Sequence, residues 1–175
     1  MEKRTAVELR AEGRKLVGYA AVFGQEARIA DFTEVIAPGA FQRSLAAGGD
    51  VLALADHDPK RVLARTKSGT LRLSEDERGL RFELDVPDTS VGRDILALAA
   101  RSDLGGMSFG FEVPEGGEEW HGDRRTLRAV KLHEISVVQS FPAYSGTSVS
   151  ARSRRTIADR RIIALELEHV AIPQN

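Results

Sequence analysis

The sequence has no cysteine. That excludes disulfide frameworks, thiolate zinc sites, iron–sulfur clusters and cysteine nucleophiles together, and leaves serine, threonine, a carboxylate or a metal-bound water for nucleophilic chemistry. Aromatic residues are few, with seven Phe, two Tyr and one Trp, so there is little on which to stack bases. An excess of either charge is also missing. Twenty-five Lys and Arg face 26 Asp and Glu, net −1, and no global field attracts nucleic acid or an anionic membrane. No apolar run approaches the roughly 18 residues of a membrane span, and Met1-Glu2-Lys3-Arg4 leads into polar alternation rather than a signal-peptide core. Folding in the cytoplasm is therefore expected, without a membrane or nucleic-acid partner.

What is present fits one domain. The 175 residues are 42% hydrophobic and 29% charged, enough to build a core without covalent staples. The charge is unevenly spread: residues 1–151 hold 20 basic and 23 acidic groups, whereas 152–175 hold five basic and three acidic. All five of those basic groups are Arg between Arg152 and Arg161. We therefore expect a domain over 1–151 and an Arg-rich tail over 152–175, helical by its Ala and Glu content.

Period-two patterns dominate the body. Val7 and Leu9, a turn at Glu12-Gly13 and a return through Leu16 to Phe23 read as a hairpin. Residues 24–39 read as loop around a short extended piece, Glu34 to Ile36, and Ala40–Ala47 as a short helix stopped by Gly48-Gly49. Val51–Ala55 is an apolar strand ended by Asp56-His57-Asp58-Pro59. Val62–Thr66, Leu71–Leu73 and Leu80–Val86, joined by two glycine turns, predict a three-stranded meander. Thr89 and Ser90 offer N-caps to a helix through Arg101, with Val91, Ile95, Leu98 and Ala99 on one face. Met107–Val113 alternates again, Pro114–Asp123 is a polar tip, Arg124–Ala129 returns, and Val130–Val138 reads as a central strand. The fold class is mainly β with helices (α+β), about seven largely antiparallel strands with two or three helices, joined by hairpins rather than parallel crossovers.

Three places carry candidate chemistry. Gly106-Met107-Ser108-Phe109-Gly110 matches the G-x-S-x-G pattern, but a strand rather than a helix follows, so it is not a hydrolase elbow. Ser108 is then either a serine approached closely between glycines, or a solvated strand residue beside a bulge at Gly110. His57, between two carboxylates at a rigid corner, is either a general base or part of a plain turn. Glu134 lies in a strand apolar on both faces, where a carboxylate needs a partner: an Arg on a neighbouring strand, or a histidine to orient. Its neighbour His133 points to the other face. A metal-dependent hydrolase on Asp56, His57 and Asp58 is a weaker alternative, because no established metal-ligand spacing is present. No glycine pair ends in Lys-Ser/Thr, and no cofactor is expected.

The ordered blocks GYAAVFG (18–24), EVIAPGAFQRSL (34–45), DHDP (56–59) with VLART and SGTLRL, GLRFELDVPDTSVGRDI (79–95), GGMSFGFEV (105–113) and KLHEISVV with FPAY (131–144) make the chain resemble a known family. This is the prohead (capsid maturation) serine protease family of tailed bacteriophages and related gene-transfer particles, whose fold is like that of the herpesvirus assemblins. The resemblance covers roughly residues 15–151 and implies a barrel-like antiparallel sheet. It also implies His57 as catalytic histidine, Ser108 as nucleophile and Glu134 as third member, with His133 the competitor for that role. The implied substrate is the scaffolding segment of the major capsid protein, and the protease itself, inside an assembling prohead in the host cytoplasm. Self-association, and a tail that directs encapsidation or is removed by self-cleavage, would fit the same picture. A catalytically silent assembly factor with this fold is the alternative. The Gly105-Gly106 turn is the first place to look for oxyanion donors.

Overall fold

Alternation at the N-terminus forms the expected hairpin and one strand more. In the computed structural model, which describes residues 2–6 and 8–139, β1 (Glu2–Ala6) joins one sheet, and β2 (Glu8–Glu12) pairs antiparallel with β3 (Lys15–Val22) in another. The next stretch is more ordered than the expected loop. Two short strands, β4 (Glu26–Ile29) and β5 (Phe32–Ile36), pair across a turn and lead to helix α1 (Gln42–Ala46). β6 (Leu52–Ala55), β7 (Asp58–Arg65), β8 (Leu71–Glu75) and β9 (Gly79–Asp85) follow, then α2 (Ser90–Ala100). β10 (Gly106–Glu112), β11 (Glu118–His121), β12 (Arg124–Leu127) and β13 (Lys131–Val138) complete the described part.

The strands form three sheets, ordered β1-β10-β13-β6-β7, β11-β12-β5-β4 and β2-β3-β9-β8. Among the described residues, only β12 with β5 and β13 with β6 run parallel, and the other eight pairings are antiparallel. The class is mainly β with few helices, as expected, but no closed barrel is detected among the described residues.

The strand count, thirteen against about seven, differs for a physical reason. β4 and β11 are the two edges of their sheet and are largely exposed and charged, so they carry no apolar alternation to read. The predicted meander also divides. β8 and β9 pair, but β7 turns back onto β6, and Asp50 meets the β7 end, where it takes the Arg65 guanidinium and, at 3.1 Å, the Lys67 N–H. The helix expected in the tail and the boundary at 151 lie outside the described residues.

Core packing fixes the strand that matters most. Met107, Phe109 and Phe111 are fully or almost fully buried on one face of β10. Phe109 packs edge-on against Phe41 at 5.5 Å between centroids and stacks on Phe111 at 5.1 Å. Because side chains alternate along a strand, this anchoring turns Ser108 and Gly110 to the opposite face. Helix α2 caps as its sequence predicts, with the Thr89 hydroxyl accepting from the Gly92 N–H at 3.1 Å, and buries Ile95. Its internal glycine has a packing reason: a Cβ at Gly92 would sit 2.1 Å from the Pro87 carbonyl oxygen.

Candidate functional site

The middle of the five-stranded sheet gathers the residues singled out from sequence. Ser108 on β10 lies directly opposite Ser136 on β13, and Gly110 lies opposite Glu134. Directly opposed residues of an antiparallel pair project to the same face, with Cβ atoms about 4.5–5.5 Å apart. Glu134, two residues from Ser136, shares that face. Ser108, Ser136 and Glu134 therefore stand together, and Gly110 places no side chain against the carboxylate. The register shifts between Gly110 and Phe111, which face Glu134 and Leu132, so the irregularity lies beside Gly110 as expected but the extra residue is His133 on β13. The solvated alternative for Ser108 is not met, since the residue is 1% exposed.

His57 reaches this face from the turn between β6 and β7. Ala55 pairs with Asp58, so Asp56 and His57 form a two-residue hairpin loop, with φ 53° and 59°. Positive φ at both central residues is the requirement of a type I′ turn, usually met by Asn-Gly; Asp and His are among the side chains that enter this region least reluctantly. The cost is about 1–2 kcal/mol per residue, and the surroundings supply the compensation. The Asp56 N–H donates to the Val137 carbonyl at 2.9 Å, and its carboxylate accepts from Gln139 N–H at 2.9 Å and Arg61 Nη1 at 2.7 Å. The His57 N–H donates to Ser136 Oγ at 3.1 Å. Pro59 does not end the strand. It sits within β7, at the sheet edge and where the register against β6 slips, and there its missing N–H is tolerated.

The imidazole of His57 meets Glu134. Nδ1 lies 2.6 Å from Glu134 Oε1, and the second carboxylate oxygen, Oε2, accepts from Ser136 Oγ at 2.7 Å. Glu134 is 4% exposed and Ser136 0%, whereas the His57 side chain keeps 16% of its surface. A buried carboxylate facing Nδ1 selects the tautomer with the proton there and leaves Nε2 as the acceptor. Of the two partners expected for Glu134, the one present is the histidine. His133 points elsewhere: its Nε2 is 3.1 Å from Glu112 Oε2, without hydrogen-bond alignment.

The flanking carboxylates do not serve His57 as their sequence position suggests. Asp56 is held by Arg61 and Gln139, and Asp58 Oδ1 accepts from the Lys60 N–H at 2.9 Å. Among the described residues, no group of three or more His, Asp and Glu gathers as metal ligands. The Gly105 N–H donates to the Val138 carbonyl at 2.8 Å and is thus already occupied.

Sequence reasoning missed two residues. Ser136 reads as an ordinary strand serine, and only its place across from Ser108 shows its importance. Arg125, 6% exposed, gathers three carboxylates: its Nη atoms take both Glu2 oxygens, Nη1 also reaches Glu34 Oε2 at 3.0 Å, and Nε donates to Glu118. Burial works against its charge, but Glu2, Glu34 and Glu118 outweigh that and hold its pKa above the ordinary value. Among the described residues no helix is long and apolar enough to cross a membrane.

A family model described as caudovirus prohead serine protease matches residues 2–160 of the chain. No curated protein and no solved structure matches it.

Proposed function

We propose that this chain, which belongs to the caudovirus prohead serine protease family, cuts peptide bonds with Ser108 as nucleophile, His57 as general base and Glu134 as the group that orients the histidine. The family is one of serine peptidases of capsid maturation. The observation that carries the assignment of residues is the 2.6 Å contact of His57 Nδ1 with the buried Glu134, on the sheet face that also presents Ser108.

The chemistry follows from these groups. Ser108 Oγ attacks the scissile carbonyl carbon while Nε2 of His57 takes its proton, and the Glu134 carboxylate stabilises the imidazolium that forms. Collapse of the tetrahedral intermediate breaks the C–N bond, and His57 returns the proton to the leaving amine. Water then attacks the acyl-enzyme, giving its proton to His57, and the carboxylic acid product leaves Ser108 free again. Ser108 is 1% exposed, so a peptide reaches it only after covering groups shift.

The substrate in this reading is the scaffolding segment of the major capsid protein, together with the chain itself, cut inside the prohead in the host cytoplasm. Self-association and a role for the Arg-rich tail in encapsidation belong to the same proposal. Co-expression with the capsid protein tests it. Capsid protein shortens with the wild-type chain and stays full length with Ser108→Ala or His57→Ala; shortening that persists in both variants overturns the assignment.

A further inference from the structure

We infer that Ser136 is a positioning residue of this site, acting as a clasp that holds both the strained His57 backbone and the Glu134 carboxylate; the inference rests on the proposed roles of Ser108, His57 and Glu134. The hydrogen bonds form a closed ring. His57 Nδ1 meets Glu134 Oε1 at 2.6 Å, Glu134 Oε2 accepts the Ser136 hydroxyl proton at 2.7 Å, and Ser136 Oγ accepts the His57 backbone N–H at 3.1 Å. The Ser136–Glu134 link is buried, the two links to His57 are part-buried, and Ser136 is 0% exposed.

A hydroxyl is the smallest group able to do both tasks, since it donates one proton and accepts through a lone pair at the same atom. Its donation fixes which way Glu134 turns and satisfies the oxygen that the imidazole leaves unused. Its acceptance pairs a backbone N–H on a residue at φ 59°, in a region that a side-chain-bearing residue enters only at a cost. Without the hydroxyl, an N–H and a carboxylate oxygen lose their partner together, at a residue that is itself buried. Such losses are relieved by movement, and the groups free to move are the turn carrying the imidazole and the carboxylate that aims it. Ser136 faces Ser108 across the ladder, so what the clasp sets is the placing of Nε2 towards the nucleophile.

This role is separable from simple support of the fold. Phosphonylation by an alkyl fluorophosphonate probe reads the reactivity of Ser108 without a known substrate: the serine oxygen bonds to phosphorus, fluoride leaves, and His57 receives the serine proton. The maximal labelling rate reports activation, and the probe concentration for half-maximal rate reports binding. Misplacing a catalytic group by about 1 Å costs on the order of a hundredfold. Ser136→Ala is therefore expected to lower the maximal rate roughly ten- to hundredfold while half-saturation stays put. Ser136→Thr, which keeps the hydroxyl, recovers most of the rate. Ser136→Cys, similar in shape but a weak donor, does not, and it serves as the test if the alanine variant fails to fold. In proton NMR the far-downfield His57 Nδ1 proton, present in the wild type, shifts upfield or broadens in the alanine and cysteine variants. A maximal rate within about twofold of wild type in those variants, against the loss expected on the order of a hundredfold, overturns the clasp. So does a loss seen only in half-saturation. If instead Ser108→Ala is labelled as fast as wild type, the proposed nucleophile itself is wrong.

Discussion

Two buried polar assemblies in this chain are built from the same kinds of parts and behave as opposites. In the β11-β12-β5-β4 sheet, Arg125 is surrounded by Glu34 and Glu118 of that sheet and by Glu2 of β1. In the five-stranded sheet, Glu134 is shared by His57 and Ser136. The first holds a cation that no accessible pH neutralises, on regular strand backbone, tying β1, β5 and β11 to β12. The second sets an imidazole against a buried carboxylate, on a turn with two consecutive residues at positive φ. A fixed charge on relaxed backbone makes a rivet; an imidazole on strained backbone beside a serine is, in the proposed mechanism, a reactive site. Burial and hydrogen bonding alone do not distinguish them, but the kind of basic group and the backbone conformation do.

The contrast can be broken most severely at the reactive end. Ser108→Ala and His57→Ala are each expected to lower peptide cleavage by at least about a thousandfold with melting temperature nearly unchanged; a stability loss matching the activity loss would make this site a rivet as well. Glu134→Gln comes next. It keeps the shape but cannot accept from both the imidazole and Ser136, and a fall in kcat of roughly 10³ to 10⁴ is expected from the wrong tautomer, with KM little changed.

The Arg125 cluster should answer in the other currency. Arg125→Met removes the cation that Glu2, Glu34 and Glu118 share, and breaking a buried ion pair from one side costs about 3–5 kcal/mol, to be read by denaturant titration. Activity per folded molecule should persist, whereas equal loss of kcat in fully folded protein would erase the distinction. The smallest effect is expected at exposed pairs. Asp50 is held below the usual carboxylate range by hydrogen bonding to Arg65, so its contribution is present above its unfolded pKa and fades as pH falls through the lower folded value. Asp50→Asn should accordingly lower the melting temperature at pH 7 more than at pH 3, a difference that thermal scans at the two pH values would show.

How far the sequence announced all this depends on what each feature rests upon. Strong alternation marked β9 and β10, apolar runs marked β3 and β13, and the cap at Thr89 with the stripe through Ile95 marked α2, because local pattern and burial agree there. Glu134 was legible as an anomaly, a carboxylate inside an apolar strand that needed a partner. His57 and Ser108 were legible mainly through resemblance, since a D-H-D-P turn and a G-x-S-x-G strand each have plain readings. Ser136 and Arg125 were not legible. Their roles arise from cross-strand register and from pairings up to 123 residues apart, such as Glu2 with Arg125, which local pattern does not encode. The type I′ hairpin at Asp56-His57 was hidden because neither residue is the glycine that normally marks it.

The same logic explains why His57 stands where it does. A histidine on a regular strand would be held by the ladder at a fixed height above the sheet, whereas the turn lets it fold back over β13 towards Glu134 and Ser136. In the proposed mechanism the sheet would supply the rigid carboxylate and the nucleophile, and the turn the base.

In the proposed mechanism Ser108, rather than its neighbour Ser136, is the activated serine. Fluorophosphonate labelling of the wild-type chain followed by peptide mapping by mass spectrometry distinguishes the two. One adduct is expected, on the peptide carrying Ser108 and absent in His57→Ala; an adduct on Ser136 or on another serine, or labelling that survives His57→Ala, would refute the assignment.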